Sequence, residues 1–437
     1  MPYRTLPGRP EGYALLAFDR EGVERDDPVG EGGPFSAHII RRAVQERATD
    51  IFIQCHGWKG DVPAAIDQYD RWFGAMVALA PDAEAMTRLS SGFRPFRIGV
   101  HWPSLPWGDE ELGPAASFSM GTDLVELYTQ RLGVRPGLRE AVERVVAAAE
   151  REPDAARLPP DAEDAYREID ALLTEIGSAG EAGAPGDDRK PFDPQTYFNA
   201  AQAEASFGWS EGLGGILAPL RQLSFWKMKE RARALGESGL NAFLADLRRG
   251  TGARIHIMGH SFGSIVASAM VCGPSGAGKG QAVSSLALVQ GALSLWSYCD
   301  DIPVSPGRPG YFQRLIAEGL VTGPIIITRS RHDVALGRYY PLGAGVADQV
   351  DYSTIGELPR YGAVGTFGAK GLTQAAVEAD LEDAAHQYGF ERGRIYNLDG
   401  DRFIKDGGGS SGAHNDIDGP EVAHAVWQAA LAGARTS

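Results

Sequence analysis

Apolar residues gather in short unbroken runs, separated by longer stretches in which they recur at helical spacing. The runs are Tyr13–Phe18, Asp50–Cys55, Phe96–Trp102, Arg254–Met258, Ser285–Val289, Pro324–Thr328 and Arg394–Leu398. Unbroken rather than alternating hydrophobicity marks strands covered on both faces, so the pattern predicts a mostly parallel central sheet flanked by helices. Several runs end directly in Gly, His, Ser or Asp, and in open α/β sheets sites assemble at that carboxyl edge.

The alternation breaks between about Ser104 and Leu223. Two charged, alanine-rich helical segments are expected there, near Gly137–Glu152 and Pro160–Ile176. In the second, Ala165, Ile169, Leu172, Leu173 and Ile176 share one face. Gly177 to Pro194 is rich in Gly, Ala, Asp and Pro and reads as a flexible loop. The division expected is therefore an α/β core, 1–103 and 224–437, interrupted by a helical insertion at 104–223. That insertion either caps the sheet edge as a lid or decorates the surface away from any site. A long helix is expected from Ser224 to Arg248, leading through Gly250 and Gly252 into the Arg254 run.

Candidate chemistry centres on Ile255-His256-Ile257-Met258-Gly259-His260-Ser261-Phe262-Gly263-Ser264. A buried strand, a G-x-S-x-G pentapeptide and an apolar helix follow one another. That order puts Ser261 on a sharp strand-to-helix turn that lifts its hydroxyl out of the sheet and aims the Phe262 N–H at an oxyanion. A common tight turn with a serine helix cap is the plainer alternative. A serine hydroxyl needs a base, usually a histidine oriented by a carboxylate. The chain supplies both beyond later strands: Arg329-Ser330-Arg331-His332-Asp333 follows the run ending at Thr328, and a Gly-rich stretch 407–413 leads to His414. The roles expected are Ser261 nucleophile, His414 general base and acid, and Asp333 its partner. Asp300 and Asp301 are rival acids. Asp416 and Asp418 lie too close to His414 along the chain, His332 precedes any strand that would bring it to Ser261, and His424 sits inside a helix.

Cys55-His56-Gly57-Trp58 follows an early strand, where a second oxyanion donor is expected. Gly57 would permit an unusual backbone angle, aiming the Trp58 N–H into the site. His56, Gly57, Trp102 and His260 are expected around the substrate, with His56 bracing its loop and His260 orienting the turn. Gly273-Pro274-Ser275-Gly276-Ala277-Gly278-Lys279-Gly280 nearly fits a phosphate-binding loop, but Gly280 stands where a hydroxyl is needed and the segment follows a helix. No metal-ligand spacing is present, and no cofactor is expected.

With 437 residues and 43% hydrophobic content, the chain can bury a sizeable core. A formal charge of −15, from 42 basic and 57 acidic residues, argues against nucleic acid or an anionic membrane surface as partner. Three cysteines, Cys55, Cys272 and Cys299, form no disulfide framework and read as buried small hydrophobes in a reducing compartment. The first residues lack the apolar stretch of a signal peptide, and no run approaches a membrane span. The expectation is a soluble, cytoplasmic protein without integral membrane association.

With the pentapeptide, His56-Gly57-Trp58, Asp333 and His414 in this order, the chain resembles the α/β-hydrolase superfamily over most of its length outside 104–223. The resemblance implies a Ser-His-Asp triad on Ser261, His414 and Asp333, an oxyanion hole from the Phe262 and Trp58 amides, and a covalent acyl-enzyme. In some relatives the acid follows the preceding strand, which is what makes Asp300 and Asp301 rivals. Trp58 departs from the lipase-like pattern, which has consecutive glycines after the His-Gly pair. The function expected is a serine hydrolase cleaving an ester, thioester or amide of a small-molecule or acyl substrate. Lipase, phospholipase and serine peptidase are alternatives on the same fold, and a catalytically silent binding or scaffold protein is an alternative of another class.

Overall fold

The computed structural model describes residues 3–19, 21–25, 33–57, 62–90, 92–104, 120–153, 155–173, 183–189, 192–205, 214–274, 276, 278, 280–339, 358–407 and 409–435. These divide into two compact units. One comprises 1–105, 231–337 and 362–437, the other 106–230 and 338–361.

The first unit is built on a nine-stranded sheet among the described residues. Its strands are β1 (Tyr3–Thr5), β2 (Gly12–Ala17), β3 (Asp50–Cys55), β4 (Pro95–His101), β5 (Arg254–His260), β6 (Ser285–Val289), β7 (Ile325–Arg329), β8 (Val377–Asp380) and β9 (Ile395–Asp399), in the order β1-β2-β4-β3-β5-β6-β7-β9-β8. Only β1 is antiparallel to its neighbour. The seven unbroken apolar runs are the seven inner strands, displaced by at most two residues at any end. The unpredicted β1 and β8 are short edge strands of partly exposed residues, which carry no apolar run to betray them.

Successive residues of the inner strands face opposite layers. Phe52, Met258, Ala287, Ile326 and Leu398 join a core with Tyr69, Trp72 and Phe73 of the helix Val62–Ala78 and with the C-terminal helix Pro420–Ala434. The other layer holds the helices Phe35–Gln45, Asn241–Thr251 and Gly263–Cys272. The Gly263–Cys272 helix is buried at every position, which is why its sequence lacks a polar face. The helix expected at Ser224–Arg248 starts at Gly214, passes through a π-helical turn at Gly236–Leu240 and ends at Thr251. Gly236 explains the irregular turn: a Cβ there would lie 2.5 Å from the Ala269 Cβ and 2.7 Å from the Val266 carbonyl oxygen.

Register decides what meets at the carboxyl edge. Cys55 lies opposite Gly259, His260 opposite Val289, Val289 opposite Thr328, and Arg329 opposite Asp399. The residues just beyond β3, β5, β6 and β7 therefore emerge side by side.

The second unit is helical: Met120–Leu132, Leu138–Arg151, Pro160–Leu173 and Pro194–Ala205 pack with the first part of Gly214–Leu235 around their own apolar cluster. The helices at 138–151 and 160–173 match those expected near Gly137–Glu152 and Pro160–Ile176. The helices at 120–132 and 194–205 were not anticipated. Of the loop expected at 177–194, residues 177–182 and 190–191 lie outside the described residues; 183–189 form turns and bends. There Asp188 pairs with the buried Lys229, and Arg189 bonds Asp170 at 2.7 Å while lying 3.8 Å over the Trp226 ring. No helix among the described residues is long and apolar enough to cross a membrane.

Candidate active site

Ser261 is the first residue after β5, and its φ is +55°. A non-glycine residue in this region is strained, and the surrounding contacts hold it there. Its N–H donates to the Val289 carbonyl at 3.1 Å, while its own carbonyl accepts from Ser264 and Ala292, each at 3.1 Å. Both flanking glycines are required by close approach. A Cβ on Gly259 would stand 2.3 Å from the Gly263 carbonyl oxygen, and one on Gly263 would stand 2.1 Å from that of Cys55. Phe262 begins the following helix, so its backbone lies at the positive end of the helix dipole.

The carboxylate and histidine meet beyond β7 and β9. His414 Nδ1 donates to Asp333 Oδ2 at 2.7 Å, and the Asp333 side chain is fully buried while His414 is 12% exposed. Asp333 Oδ1 accepts the Leu336 N–H at 2.9 Å. The stretch before His414 is a short 3-10 segment, Gly409–Asn415, kinked at Gly412, where φ is +53°. A Cβ at Gly412 would collide with the His332 carbonyl, 2.6 Å away. The Ala413 N–H bonds that same carbonyl at 3.0 Å. The glycine thus lets the loop lie against the Asp333 turn. No hydrogen bond joins Ser261 Oγ to His414 among the described residues, and catalytic contacts of this kind commonly tighten only in the complex with substrate.

His260 is buried, and its Nε2 bonds the His414 carbonyl oxygen at 2.9 Å, with ring centroids 4.8 Å apart. Burial, reinforced by His414, pushes its imidazole well below the usual range, so a neutral ring donates from Nε2. It holds the backbone of His414.

His56 and Trp102 form the wall under the loop after β3. His56 is buried; burial, with His101 beside it, pushes its imidazole down to about 3. The neutral ring accepts the Trp102 N–H at 3.3 Å and contacts His101 Nδ1 at 3.2 Å. The Trp102 indole donates to the His56 carbonyl at 3.0 Å, and Ser104 Oγ donates to that of Gly57 at 2.9 Å. The contacts of His56 and Trp102 are thus with the fold itself. Gly57 needs a different explanation from the one its sequence suggested. It does not adopt a left-handed φ; instead a Cβ on it would lie 2.5 Å from Ser261 Cβ and 3.2 Å from Ser261 Oγ. Glycine is there to let the loop close onto the serine. Trp58 lies outside the described residues.

The rival acids have other employment. Asp300 accepts from Gln313 and the Thr373 N–H, and Asp301 accepts the Gly307 N–H. His424 bonds Asp82 at 2.7 Å and the His386 carbonyl at 2.6 Å, tying the C-terminal helix to the helix Ala80–Leu89.

A second Ser–His–Asp array stands at the opposite, amino edge of the sheet. Ser285 donates to His256 Nδ1 at 2.9 Å, and His256 Nε2 donates to Asp50 at 3.1 Å. It is closed to chemistry. All three residues are buried, and the Arg254 guanidinium spans both Asp50 oxygens at 2.7 Å. Burial opposes ionisation of Asp50, but hydrogen bonds from His256 and Arg254 outweigh it and hold the carboxyl at about 2. Burial pushes His256 down, so it stays neutral. The array fastens β3, β5 and β6 together.

Sequence reasoning missed Gln290. It follows β6, is fully buried, has φ +44°, and its Nε2 donates to Asp333 Oδ2 at 2.9 Å. The one cue was a polar residue between the Val289 strand end and Gly291, a pattern too common to single out.

Residues 203–291 match a family model described as alpha/beta hydrolase. The segment runs from the Gly214–Leu235 helix region through β5, Ser261 and β6. No curated protein and no solved structure matches the chain. The sheet and the family match agree: a mostly parallel sheet flanked by helices is an α/β fold, and the match supports a hydrolase of the α/β-hydrolase superfamily.

Proposed function

We propose that this α/β hydrolase is a serine esterase that cleaves a carboxylic ester through an acyl-enzyme. Ser261 Oγ attacks the ester carbonyl as His414 Nε2 takes its proton, and the imidazolium is stabilised by Asp333. The negative charge formed on the carbonyl oxygen is met by the Phe262 N–H at the helix start and, by its chain position, the Trp58 N–H. Collapse expels the alkoxide, which His414 protonates. A water, deprotonated by the same imidazole, then attacks the acyl-enzyme and returns Ser261 with the free acid.

The observation that carries this reading is the pairing of a strained serine, at φ +55° beyond β5, with a buried carboxylate–histidine bond of 2.7 Å on the same sheet edge. Backbone strain of this kind costs about 1–3 kcal/mol and persists only where surrounding structure enforces it, so a strained serine beside a histidine–carboxylate pair points to function.

The test is hydrolysis of p-nitrophenyl esters of increasing acyl length by wild type, Ser261→Ala, Asp333→Asn and Asp301→Asn, with folding checked by circular dichroism. Wild type is expected to turn over, with kcat lower by about 10⁴-fold or more in Ser261→Ala and Asp333→Asn, and unchanged in Asp301→Asn. A folded wild type inert on the whole panel, or a Ser261→Ala variant of equal rate, would overturn the reading.

A further inference from the structure

Two of the three non-glycine residues with positive φ among the described residues are Ser261 and Gln290, and they follow adjacent strands. The first has a chemical reason to be strained. For the second, the reason lies in its side chain. Gln290 is fully buried, so every polar atom it carries must find a partner inside the protein.

Those partners fix which way the amide points. The Gln290 N–H donates to Thr328 Oγ1 at 3.1 Å, and the Thr328 hydroxyl donates in turn to Gln290 Oε1 at 3.2 Å. The amide nitrogen is left facing Asp333 Oδ2 at 2.9 Å. The reverse orientation would set Oε1 against a carboxylate, acceptor against acceptor, and give up the Thr328 bond. Thr328 is itself buried in β7, one strand over, and its register opposite Val289 holds hydroxyl and backbone together. The left-handed turn at Gln290 is what points the side chain across the edge toward Asp333.

We infer that Gln290 is a positioning residue for the reaction: its amide locks the Asp333 carboxylate in the rotation that receives His414 Nδ1. This rests on the reading of Ser261, His414 and Asp333 as a triad. Asp333 Oδ2 then receives two donors, Gln290 and His414, and Oδ1 receives the Leu336 N–H. Three donors leave the carboxylate no freedom to turn away from the imidazole. The choice of a neutral amide matters as much as its position. A lysine or arginine there would neutralise Asp333 and weaken its hold on the imidazolium formed during acylation, whereas an amide orients the carboxylate and leaves its charge in place.

Two replacements separate positioning from packing. In Gln290→Glu the shape is kept, but the carboxyl donates to Asp333 only while protonated. Once ionised, it adds a second negative charge near His414 and holds the imidazole protonated to higher pH. Besides Asp333, the titratable group in ring contact with His414 among the described residues is His260, a neutral ring 4.8 Å away, and it is common to both proteins. The acidic limb of the kcat/KM profile for a p-nitrophenyl ester is expected to move up by about one pH unit. In Gln290→Met the length is kept and the donor lost. There kcat is expected to fall about 10-fold or more, with KM within about twofold.

A second readout does not depend on turnover. In a Ser261→Ala background, the low-field proton resonance of the His414 Nδ1–H···Asp333 bond is expected to be sharp with Gln290 and broadened or lost with Gln290→Met. Folded variants with wild-type pH profile, kcat and low-field resonance would overturn the inference. If the wild type hydrolyses no ester, the esterase reading fails by itself, and the resonance still decides whether Gln290 holds the Asp333–His414 pair.

Discussion

At the residue scale, the site is organised by what cannot be larger than glycine. Gly57, Gly259 and Gly263 each abut backbone or the Ser261 side chain at distances no Cβ tolerates. The three are not equivalent. An alanine at Gly263 meets the Cys55 carbonyl at 2.1 Å and is expected to cost stability; one at Gly57 meets Ser261 itself at 2.5 Å. Gly57→Ala is therefore predicted to fold with a loss of about 1–3 kcal/mol. Its ester turnover should fall by about 100-fold, since displacement of the serine by a fraction of an ångström degrades the attack geometry. Urea unfolding and p-nitrophenyl ester kinetics on the same preparation check both numbers. Turnover equal to wild type would show that the Gly57 loop does not bear on the serine. Ser261, Asp333 and His414 could be singled out in the sequence because each follows a strand signal in the chain order that the α/β-hydrolase resemblance implies, and the structure puts Asp333 and His414 in hydrogen-bond contact. Gln290 could not be read, because its role depends on a side chain reaching across to a neighbouring strand, which no local pattern records. The reason for Gly57 was also hidden, since a close approach between residues 57 and 261 exists only once β3 and β5 are paired.

At the scale of elements, the inner strands were legible because burial on both faces forces unbroken apolar runs, and β1 and β8 were not because an edge strand need satisfy neither condition. The helix leading into β5 was placed too late: its N-terminal turns belong to the apolar cluster of the second unit, so their pattern did not continue that of the core. The amino edge of the sheet gives a prediction at this scale. Asp50 binds Arg254 of β5 and, through His256, Ser285 of β6, and its folded carboxyl is held at about 2 against an ordinary value of 3.8. A depressed acid contributes stability that is fully present above about pH 4 and is lost as pH falls toward 2, amounting to about 2 kcal/mol. Replacing Asp50 with Asn removes that portion. Urea midpoints measured between pH 5 and pH 2 should therefore fall more steeply in wild type than in Asp50→Asn. Parallel curves would show that the Arg254 and His256 bonds do not hold the carboxyl down.

At the scale of the whole molecule, two folding solutions share one chain. The first unit follows the rule that a parallel sheet needs a helical layer on each face, and its carboxyl edge collects the residues of the proposed site. The second unit builds a separate helical core and fastens 183–189 to it with the Lys229–Asp188 pair and the Arg189–Trp226 contact. Burial lowers the Lys229 ammonium while Asp188 opposes the shift. Such a pair serves geometry more than net stability, because desolvation consumes much of what the charges gain. The sequence announced the helices at 138–151 and 160–173, whose apolar residues keep one face at helical spacing, but not those at 120–132 and 194–205.

The central claim is that Ser261 is an acylating nucleophile driven by His414. Its most direct test is covalent: incubate the folded protein with a fluorophosphonate, weigh the intact chain, and map the modified peptide. The account predicts one adduct per chain, carried on Ser261, absent from Ser261→Ala and formed about 10³-fold or more slowly in His414→Ala. An unlabelled wild type of native fold, or an adduct that persists in Ser261→Ala, would contradict it.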